Sequence, residues 1–226
     1  MIESRPKRGS FITFEGGEGS GKSTQVSLLA ERLRLRGIDV VTTREPGGSP
    51  GAEAMRLLLL NGVVKPLGPT AETMIFAAAR DDHVQTTIAP SLARGAWVIC
   101  DRFMDSTRVY QGALGSVDER IIRTLERVTI GDTIPDLTFI LDVPVEVGFA
   151  RVSHRGQEKD RFESEEIEFH IQLREAFLAL ARSEPKRCLV IDASQSPETV
   201  ATRIWLAVVE RLLKLGAPQT MPRAAS

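Results

Sequence analysis

The feature that most constrains the fold is an octapeptide that fits G-x-x-x-x-G-K-[ST] at every specified position: Gly16-Gly17-Glu18-Gly19-Ser20-Gly21-Lys22-Ser23. This pattern predicts a phosphate-binding loop when it lies between a strand and a helix. Both flanks fit, since the β-rich run Ser10–Phe14 precedes it and apolar residues recur at helical spacing in Lys22–Arg36. Glycines let backbone N–H groups curve around phosphate oxygens, and a helix N-terminus favours the same anion. We therefore expect residues 16–23 to bind ATP, with Lys22 at the β- and γ-phosphates and Ser23 at Mg²⁺.

The rest of the chain alternates between strand-like and helix-like patterns. Helical segments lie between the strands, and the clearest has Ser196 as N-cap and Pro197 in its first turn. Short apolar strands that alternate with helices predict a parallel sheet covered on both faces, an α/β fold of three layers. Four further β-rich runs follow the first: Ile38–Thr43, Ala96–Cys100, Leu137–Leu141 and Arg187–Ile191.

We expect a single domain over residues 1–226, with its core at about residues 10–212, because no linker divides the chain. Pro46–Gly51 contains two prolines and three glycines, which predicts a loop. The polar, charged segment at about residues 153–163 predicts a surface flap or lid. Residues 217–226 predict a frayed tail.

Composition excludes several classes of protein. The chain has 29 Lys and Arg against 30 Asp and Glu, so it lacks the basic excess of a duplex-binding surface and no nucleic-acid partner is expected. No apolar run approaches the length of a membrane span. Two cysteines are too few for a disulfide framework or a Cys-built zinc site. We expect a cytoplasmic protein without a membrane partner.

A phosphate-binding loop alone does not name a reaction, and a GTPase-type switch protein is the alternative from a different class. Such proteins typically carry D-x-x-G and N-K-x-D motifs, and neither occurs here. Asn61 is the only asparagine, and Gly62 follows it. The switch interpretation is therefore remote.

Three further segments indicate the phosphoryl acceptor: Thr43-Arg44-Glu45-Pro46-Gly47-Gly48, Phe76-Ala77-Ala78-Ala79-Arg80, and Asp101-Arg102-Phe103 with the nearby Asp105–Gly112. As a set, and in this order, they resemble the thymidylate kinases, which phosphorylate dTMP to dTDP. The resemblance runs from about residue 10 to residue 212. It implies a P-loop NTPase-type fold with a five-stranded parallel sheet, ATP and Mg²⁺ as reactants, and a homodimer. Another nucleoside-monophosphate kinase is the runner-up.

The resemblance also implies roles for individual residues. Arg44, Arg80 and Arg102 match positions that hold the dTMP phosphate or set its orientation, and Asp101 matches an acid that works near Mg²⁺. In the family, the acid that matches Glu18 accepts a hydrogen bond from the 3′-hydroxyl of dTMP. The base and sugar contacts fall at Phe76 (thymine stacking), Tyr110 (the 2′ side of the sugar), and Ser106, Thr107 and Gln111 (base edge).

The charged flap completes the expected catalytic set. Family members without a basic residue in the loop after the acid place catalytic arginines in a lid, and Gly19 and Ser20 put this chain in that bacterial type. Arg155 and Arg161 are then expected at the triphosphate and Arg151 against adenine, the alternative being a merely solvated flap. No general base is expected, because the monophosphate is already a dianion; charge neutralisation and positioning carry the catalysis. Arg108 is left without a role, and a surface charge is the preferred interpretation.

Overall fold

The computed structural model describes residues 8–153 and 165–213. Its five strands are β1 (Phe11–Glu15), β2 (Val40–Arg44), β3 (Trp97–Asp101), β4 (Leu137–Asp142) and β5 (Cys188–Asp192). Its helices are α1 (Lys22–Arg34), α2 (Pro50–Leu60), α3 (Pro69–His83), α4 (Ala89–Ala93), α5 (Met104–Thr107), α6 (Glu119–Thr129), α7 (Val145–Ser153), α8 (Ile167–Ser183) and α9 (Pro197–Val208). A short 3₁₀ turn covers Lys65–Leu67, and π-helical segments cover Val84–Ile88, Arg108–Leu114 and Val209–Leu213.

The strands form one parallel sheet in the order β2-β3-β1-β4-β5, as the alternating pattern predicts. The central strand β1 pairs with β3 on one side and with β4 on the other. The strand that follows β1 in the chain, β2, is therefore not paired with it in the sheet. The strands that follow in the chain lie on both sides of β1, and a crevice opens at the carboxyl ends of the strands where the order of the strands reverses. The phosphate-binding loop leaves β1 at this edge.

Helices cover both faces of the sheet. Alternate residues of the central strands point to opposite sides, so Ile12 and Phe14 pack against α1 and α9 while Phe11 packs beneath the α3–α4 run. Helix α8 covers β4 and β5 with Leu173 and Phe177. The fold class is thus the expected three-layer α/β arrangement.

Element boundaries differ from the predicted ones in several places. Each of the five strands extends one residue beyond its predicted end, to an acidic residue or an arginine. Parallel pairing continues through these positions, as between Phe14 and Asp101 and between Asp142 and Asp192. The prediction of a loop over Pro46–Gly51 is wrong at its end, since α2 begins at Pro50 after the N-cap Ser49. The first helix, α1, ends at Arg34. The last helix, α9, ends at Val208, and a π-helical segment continues from it to Leu213. The flap from residue 154 onward and the tail at 217–226 lie outside the described residues.

Candidate active site

The phosphate-binding loop is shaped by glycines and by its lysine. Gly16, Gly19 and Gly21 have φ angles of 134°, 68° and 88°, a region that favours glycine. A Cβ on Gly19 would also collide with the backbone of Gly148 in α7, so this contact leaves no room for a side chain at position 19. The Nζ of Lys22 donates to the carbonyl oxygens of Gly16 (3.1 Å) and Gly17 (2.9 Å), and burial with the nearby Arg102 charge lowers its pKa. The lysine is thus held at the loop.

Two oxygen-bearing side chains meet beside this loop. The Oγ of Ser23, in the first turn of α1, donates to Oδ2 of Asp101 at the end of β3 over 2.8 Å. Hydroxyl and carboxylate oxygens are ligands that Mg²⁺ accepts, usually together with waters and substrate phosphates. Within residues 8–153 and 165–213 no cluster of three or more His, Cys, Asp or Glu side chains forms a closed metal site. The pair therefore fits a magnesium ion shared with a nucleotide.

A cleft of about 230 Å³ opens next to the loop at the carboxyl edge of the sheet. Fourteen of the predicted site residues line it: Glu18, Gly19, Gly21, Lys22, Ser23, Arg44, Phe76, Arg80, Asp101, Arg102, Ser106, Thr107, Tyr110 and Gln111. They come from four separate stretches of the chain (18–23, 44, 76–80 and 101–111), so the fold brings together residues that are distant in the sequence.

Arg102 lies beside the phosphate-binding loop, directly after β3, and its side chain enters the cleft. Its φ of 68° is unusual for a residue with a side chain, and its backbone N–H donates to the carbonyl of Phe14. Its guanidinium donates to Glu18 over 2.5 Å and to the carbonyl of Gly16 over 3.1 Å. The hydroxyl of Tyr110 donates to the same Glu18 oxygen over 3.1 Å. Burial alone would raise the pKa of Glu18, but Arg102 and Lys22 lower it to about 2.

Arg80 is held by a buried carboxylate from the loop after β2. Its Nε donates to Oε2 of Glu45 over 2.8 Å, and its Nη2 donates to the carbonyl of Phe103 over 3.1 Å. The other Glu45 oxygen meets Nδ1 of His83 at 3.0 Å, and Nε2 of His83 meets the Thr43 hydroxyl at 2.7 Å. All of these groups except the Thr43 side chain lie in the buried interior. This network fixes the orientation of the Arg80 side chain in the cleft.

Comparison with known proteins decides the family. The family model described as thymidylate kinase matches residues 14–204. The chain belongs to the thymidylate kinase family. It is therefore a phosphotransferase, and phosphorylation of dTMP is the activity consistent with that family.

Individual relatives agree over nearly the whole chain. A thymidylate kinase of Nitrobacter winogradskyi is 57% identical over 99% of this chain and 100% of its own length. One of Rhodopseudomonas palustris is 60% identical over 95% of this chain and 96% of its own length. The crystal structure of thymidylate kinase from Ehrlichia chaffeensis superimposes with a TM-score of 0.72 at 36% identity and covers 89% of this chain and 98% of that one.

Some predicted site residues lie outside this cleft. Gly16, Gly17 and Ser20 form the rear of the phosphate-binding loop, where the Ser20 hydroxyl donates to the carbonyl of Gly17 over 2.8 Å. Arg151 lies on the other side of the loop, where it donates to the carbonyl of Ala193 over 2.9 Å. Arg155 and Arg161 lie outside the described residues.

The interpretation of Arg108 as a surface charge is wrong. Its guanidinium binds both carboxylate oxygens of Glu126, at 2.7 and 2.9 Å, and also reaches Glu184 (2.6 Å) and Asp105 (3.3 Å). The side chain is 29% exposed. The position therefore joins the acceptor side of this thymidylate kinase fold to α6 and to the turn before β5.

Sequence reasoning missed several groups around the cleft. Glu45, Pro46, Arg56, Leu60 and Phe103 also line it. Arg56 donates to the carbonyl of Pro46 over 2.6 Å, yet an arginine on an amphipathic helix carries no distinguishing signal. The signal for Glu45 is its place in the Thr43–Gly48 motif, next to Arg44.

Proposed function

We propose that the chain transfers the γ-phosphoryl group of MgATP to the phosphate of dTMP and yields dTDP and ADP. The observation that supports this most strongly is the continuity of the cleft. One cleft is lined by Lys22 of the phosphate-binding loop, by Arg102, and by Phe76 and Tyr110. Two nucleotides bound end to end would place their phosphates beside the same cations.

On the donor side, the chain supplies charge and orientation. Lys22 would exchange its bonds to loop carbonyls for bonds to the β- and γ-phosphates, because its Nζ already lies at the loop. Ser23 and Asp101 would hold Mg²⁺, which when bound neutralises charge on the β- and γ-phosphate oxygens. Arg151, anchored at the loop and at Ala193, would pack near the adenine, and the lid arginines Arg155 and Arg161 would complete the clamp on closure.

On the acceptor side, arginines would hold a dianion that needs no general base. Arg102 and Arg44 both line the cleft, and a planar guanidinium binds phosphate through paired hydrogen bonds. Arg102 would then lie beside the phosphates of both nucleotides, so it would stabilise charge that develops as the phosphoryl group moves. We assign it, with Lys22 and Asp101, to the catalytic set.

The sugar and base of dTMP would be selected by Glu18 and by other side chains of the same cleft. Glu18 is ionised well below neutral pH, so it is a ready acceptor for the 3′-hydroxyl of dTMP. Tyr110 donates to Glu18 and would crowd the 2′ side of the sugar. Phe76 is half-buried on α3, one helical turn before Arg80, and would stack on thymine while Arg80 faces its edge. Ser106, Thr107 and Gln111 line the same cleft and would contact the base.

We propose that the active form is a cytoplasmic homodimer. Helix α3 packs between α2 and α6, and these three helices expose large apolar side chains that include Leu57, Met74 and Val128. A second copy would cover such a surface. The helices of residues 8–153 and 165–213 are all too short or too polar to cross a membrane.

The reaction is tested by measuring ADP release from MgATP with dTMP, dUMP, dGMP, dCMP and AMP as acceptors. The proposal predicts strong stimulation by dTMP and a much smaller effect of the other four. Strong stimulation by a different monophosphate would identify that monophosphate, and not dTMP, as the acceptor. Hydrolysis that none of the five stimulates would indicate a binding or switch protein and would overturn the proposal.

A further inference from the structure

Glu15 is a fully buried carboxylate that the mechanism above does not use. It ends the central strand β1, and its side chain reaches the turn that follows β3. Its Oε1 accepts the backbone N–H groups of Phe103 (2.7 Å) and Ser106 (3.2 Å), and its Oε2 accepts the hydroxyl of Ser106 (2.6 Å). All three bonds go to one turn, the turn that carries Arg102.

Ser106 connects this carboxylate to the guanidinium of Arg102. A serine hydroxyl has one hydrogen to donate and two lone pairs that accept. Because the hydrogen of Ser106 is directed at Glu15, a lone pair is left for Nη1 of Arg102, which donates to it over 3.3 Å. The chain of bonds therefore runs from guanidinium to hydroxyl to carboxylate, with each donor directed towards Glu15.

The backbone of the same turn needs support. Arg102 has a φ of 68°, a conformation that costs free energy for a residue with a Cβ. Arg102 itself donates its backbone N–H to the carbonyl of Phe14. The next residue, Phe103, donates its backbone N–H to the carboxylate of Glu15. The end of β1 thus holds this conformation through both its backbone and its side chain.

We propose that Glu15 is a positioning residue that orients Arg102 towards the acceptor phosphate. Its carboxylate fixes the turn of residues 102–106, and the Ser106 hydroxyl transmits this to the guanidinium. The inference rests on the proposed role of Arg102 at the dTMP phosphate. A purely structural Glu15 would stabilise the fold without favouring one part of the ligand over another.

The test compares dTMP with thymidine, which has the same base and sugar but no phosphate. Dissociation constants for both are measured by calorimetry at pH 8 for the wild type and for Glu15→Gln. The amide keeps the size of the side chain but turns one acceptor atom into a donor that faces Ser106. We expect dTMP to bind roughly tenfold more weakly to Glu15→Gln while thymidine binding changes less than about twofold, because a misdirected charged donor loses its bond only to the phosphate.

Two further variants separate positioning from stability. Thr13→Val removes another buried polar group of β1, whose hydroxyl bonds Thr138 away from the cleft, and should leave the ratio of the dTMP and thymidine constants unchanged. Ser106→Ala cuts the side-chain connection, and any base contact that it also removes is common to dTMP and thymidine, so it should give an intermediate shift in that ratio. Combined with Arg102→Ala, Glu15→Gln should cause no further loss of dTMP affinity, because its effect passes through the arginine.

Two results would count against the inference. An unchanged ratio of the dTMP and thymidine constants in Glu15→Gln would overturn it, and equal weakening of both ligands would assign Glu15 a structural role only. A full further loss of dTMP affinity in the Arg102→Ala background would also overturn it. If Glu15→Gln fails to fold, the ratio of the dTMP and thymidine constants in Ser106→Ala tests the inference by itself, and an unchanged ratio there would overturn it. A wild type that binds dTMP no better than thymidine would instead contradict the proposed role of Arg102, so the two failures are distinguishable.

Discussion

At the residue scale, the site depends on a few cations held in fixed directions by acidic partners. Arg102 is oriented by Glu18 and by the Gly16 carbonyl, and Arg80 by Glu45 and the Phe103 carbonyl. A preorganised cation binds a phosphate or polar group without the cost of ordering a long side chain at the moment of binding.

Removal of either central cation should reduce catalysis strongly. We expect Lys22→Ala and Arg102→Ala each to lower kcat/KM for dTMP by a factor of about 10²–10⁴, because charge on the transferring phosphoryl group loses its stabilisation. Steady-state kinetics with coupled ADP detection measures this. Arg8→Ala, which removes an arginine that binds Asp136 at the opposite edge of the sheet, is the matched control and should retain normal rates. Near-normal rates in Lys22→Ala or Arg102→Ala would remove that residue from the mechanism.

The buried Glu15 should leave a signature in the pH dependence of stability. Burial, followed by the charge of Asp105, raises its pKa from 4.5 to about 7. Between these values the folded state binds a proton that the unfolded state lacks, so the contribution of Glu15 to the free energy of unfolding falls as pH rises from about 5 to 7. The other groups within electrostatic reach are common to wild type and variant: Arg102, Asp105, Lys22, Tyr110, Cys100 and Cys188.

Urea unfolding of the wild type and Glu15→Gln at pH 5, 6, 7 and 8 isolates this contribution. The free energy of unfolding of the wild type should decline relative to that of the variant across pH 5–7 and level off above it. A difference that is the same at every pH would contradict the raised pKa.

At the element scale, ion pairs join the acceptor side of the cleft to the rest of the fold. Asp105 in α5 is fully buried and binds both Nη atoms of Arg187, at 2.6 and 2.9 Å, just before β5. Arg108 extends this cluster to Glu126 in α6 and to Glu184. The π-helical segment that carries Tyr110 begins at Arg108, directly after α5, so the cluster holds the start of this segment.

Breaking the buried pair should destabilise the fold more than breaking an exposed one. Arg187→Met leaves the carboxylate of Asp105 without its main partner, and we expect a loss of about 3 kcal/mol in the free energy of unfolding. Arg120→Met, which breaks an exposed pair with Asp118, is the control and should leave stability unchanged within error. Equal effects of the two substitutions in denaturant titrations would contradict this account of the cluster.

The sequence predicts the elements with strong local patterns and misses those set by tertiary contacts. The phosphate-binding loop, the parallel sheet and the Ser196 N-cap follow from local spacing, and the structure has them. The buried contacts of Glu15 and Glu45 are not predicted by the sequence, because a single acidic residue at a strand end is normally solvated. Arg108 was misinterpreted for the same reason, since its carboxylate partners are 18 and 76 positions away.

At the scale of the whole molecule, the fold brings four stretches of predicted site residues to the carboxyl ends of a five-stranded sheet and leaves a helical face outside. That face, formed by α2, α3 and α6, exposes Leu57 (64%) and Val128 (71%). If a second copy covers it, a charge there should split the dimer without touching the cleft.

Sedimentation velocity tests the assembly. The wild type should sediment as a dimer, and Val128→Glu should shift it towards monomer at the same concentration. The control Leu35→Glu, at an exposed apolar site after α1, should stay dimeric. A wild type that sediments as a monomer at micromolar concentration would refute the homodimer.

The central claim is that dTMP and ATP lie end to end in the cleft, with their phosphates beside Lys22 and Arg102. A crystal structure with dTMP and a non-hydrolysable ATP analogue measures this directly. The account predicts the dTMP phosphate at the guanidinium of Arg102, the thymine on Phe76 and the γ-phosphate at Lys22. Density for dTMP anywhere else, or a cleft that stays empty when both ligands saturate the protein in solution, would contradict it.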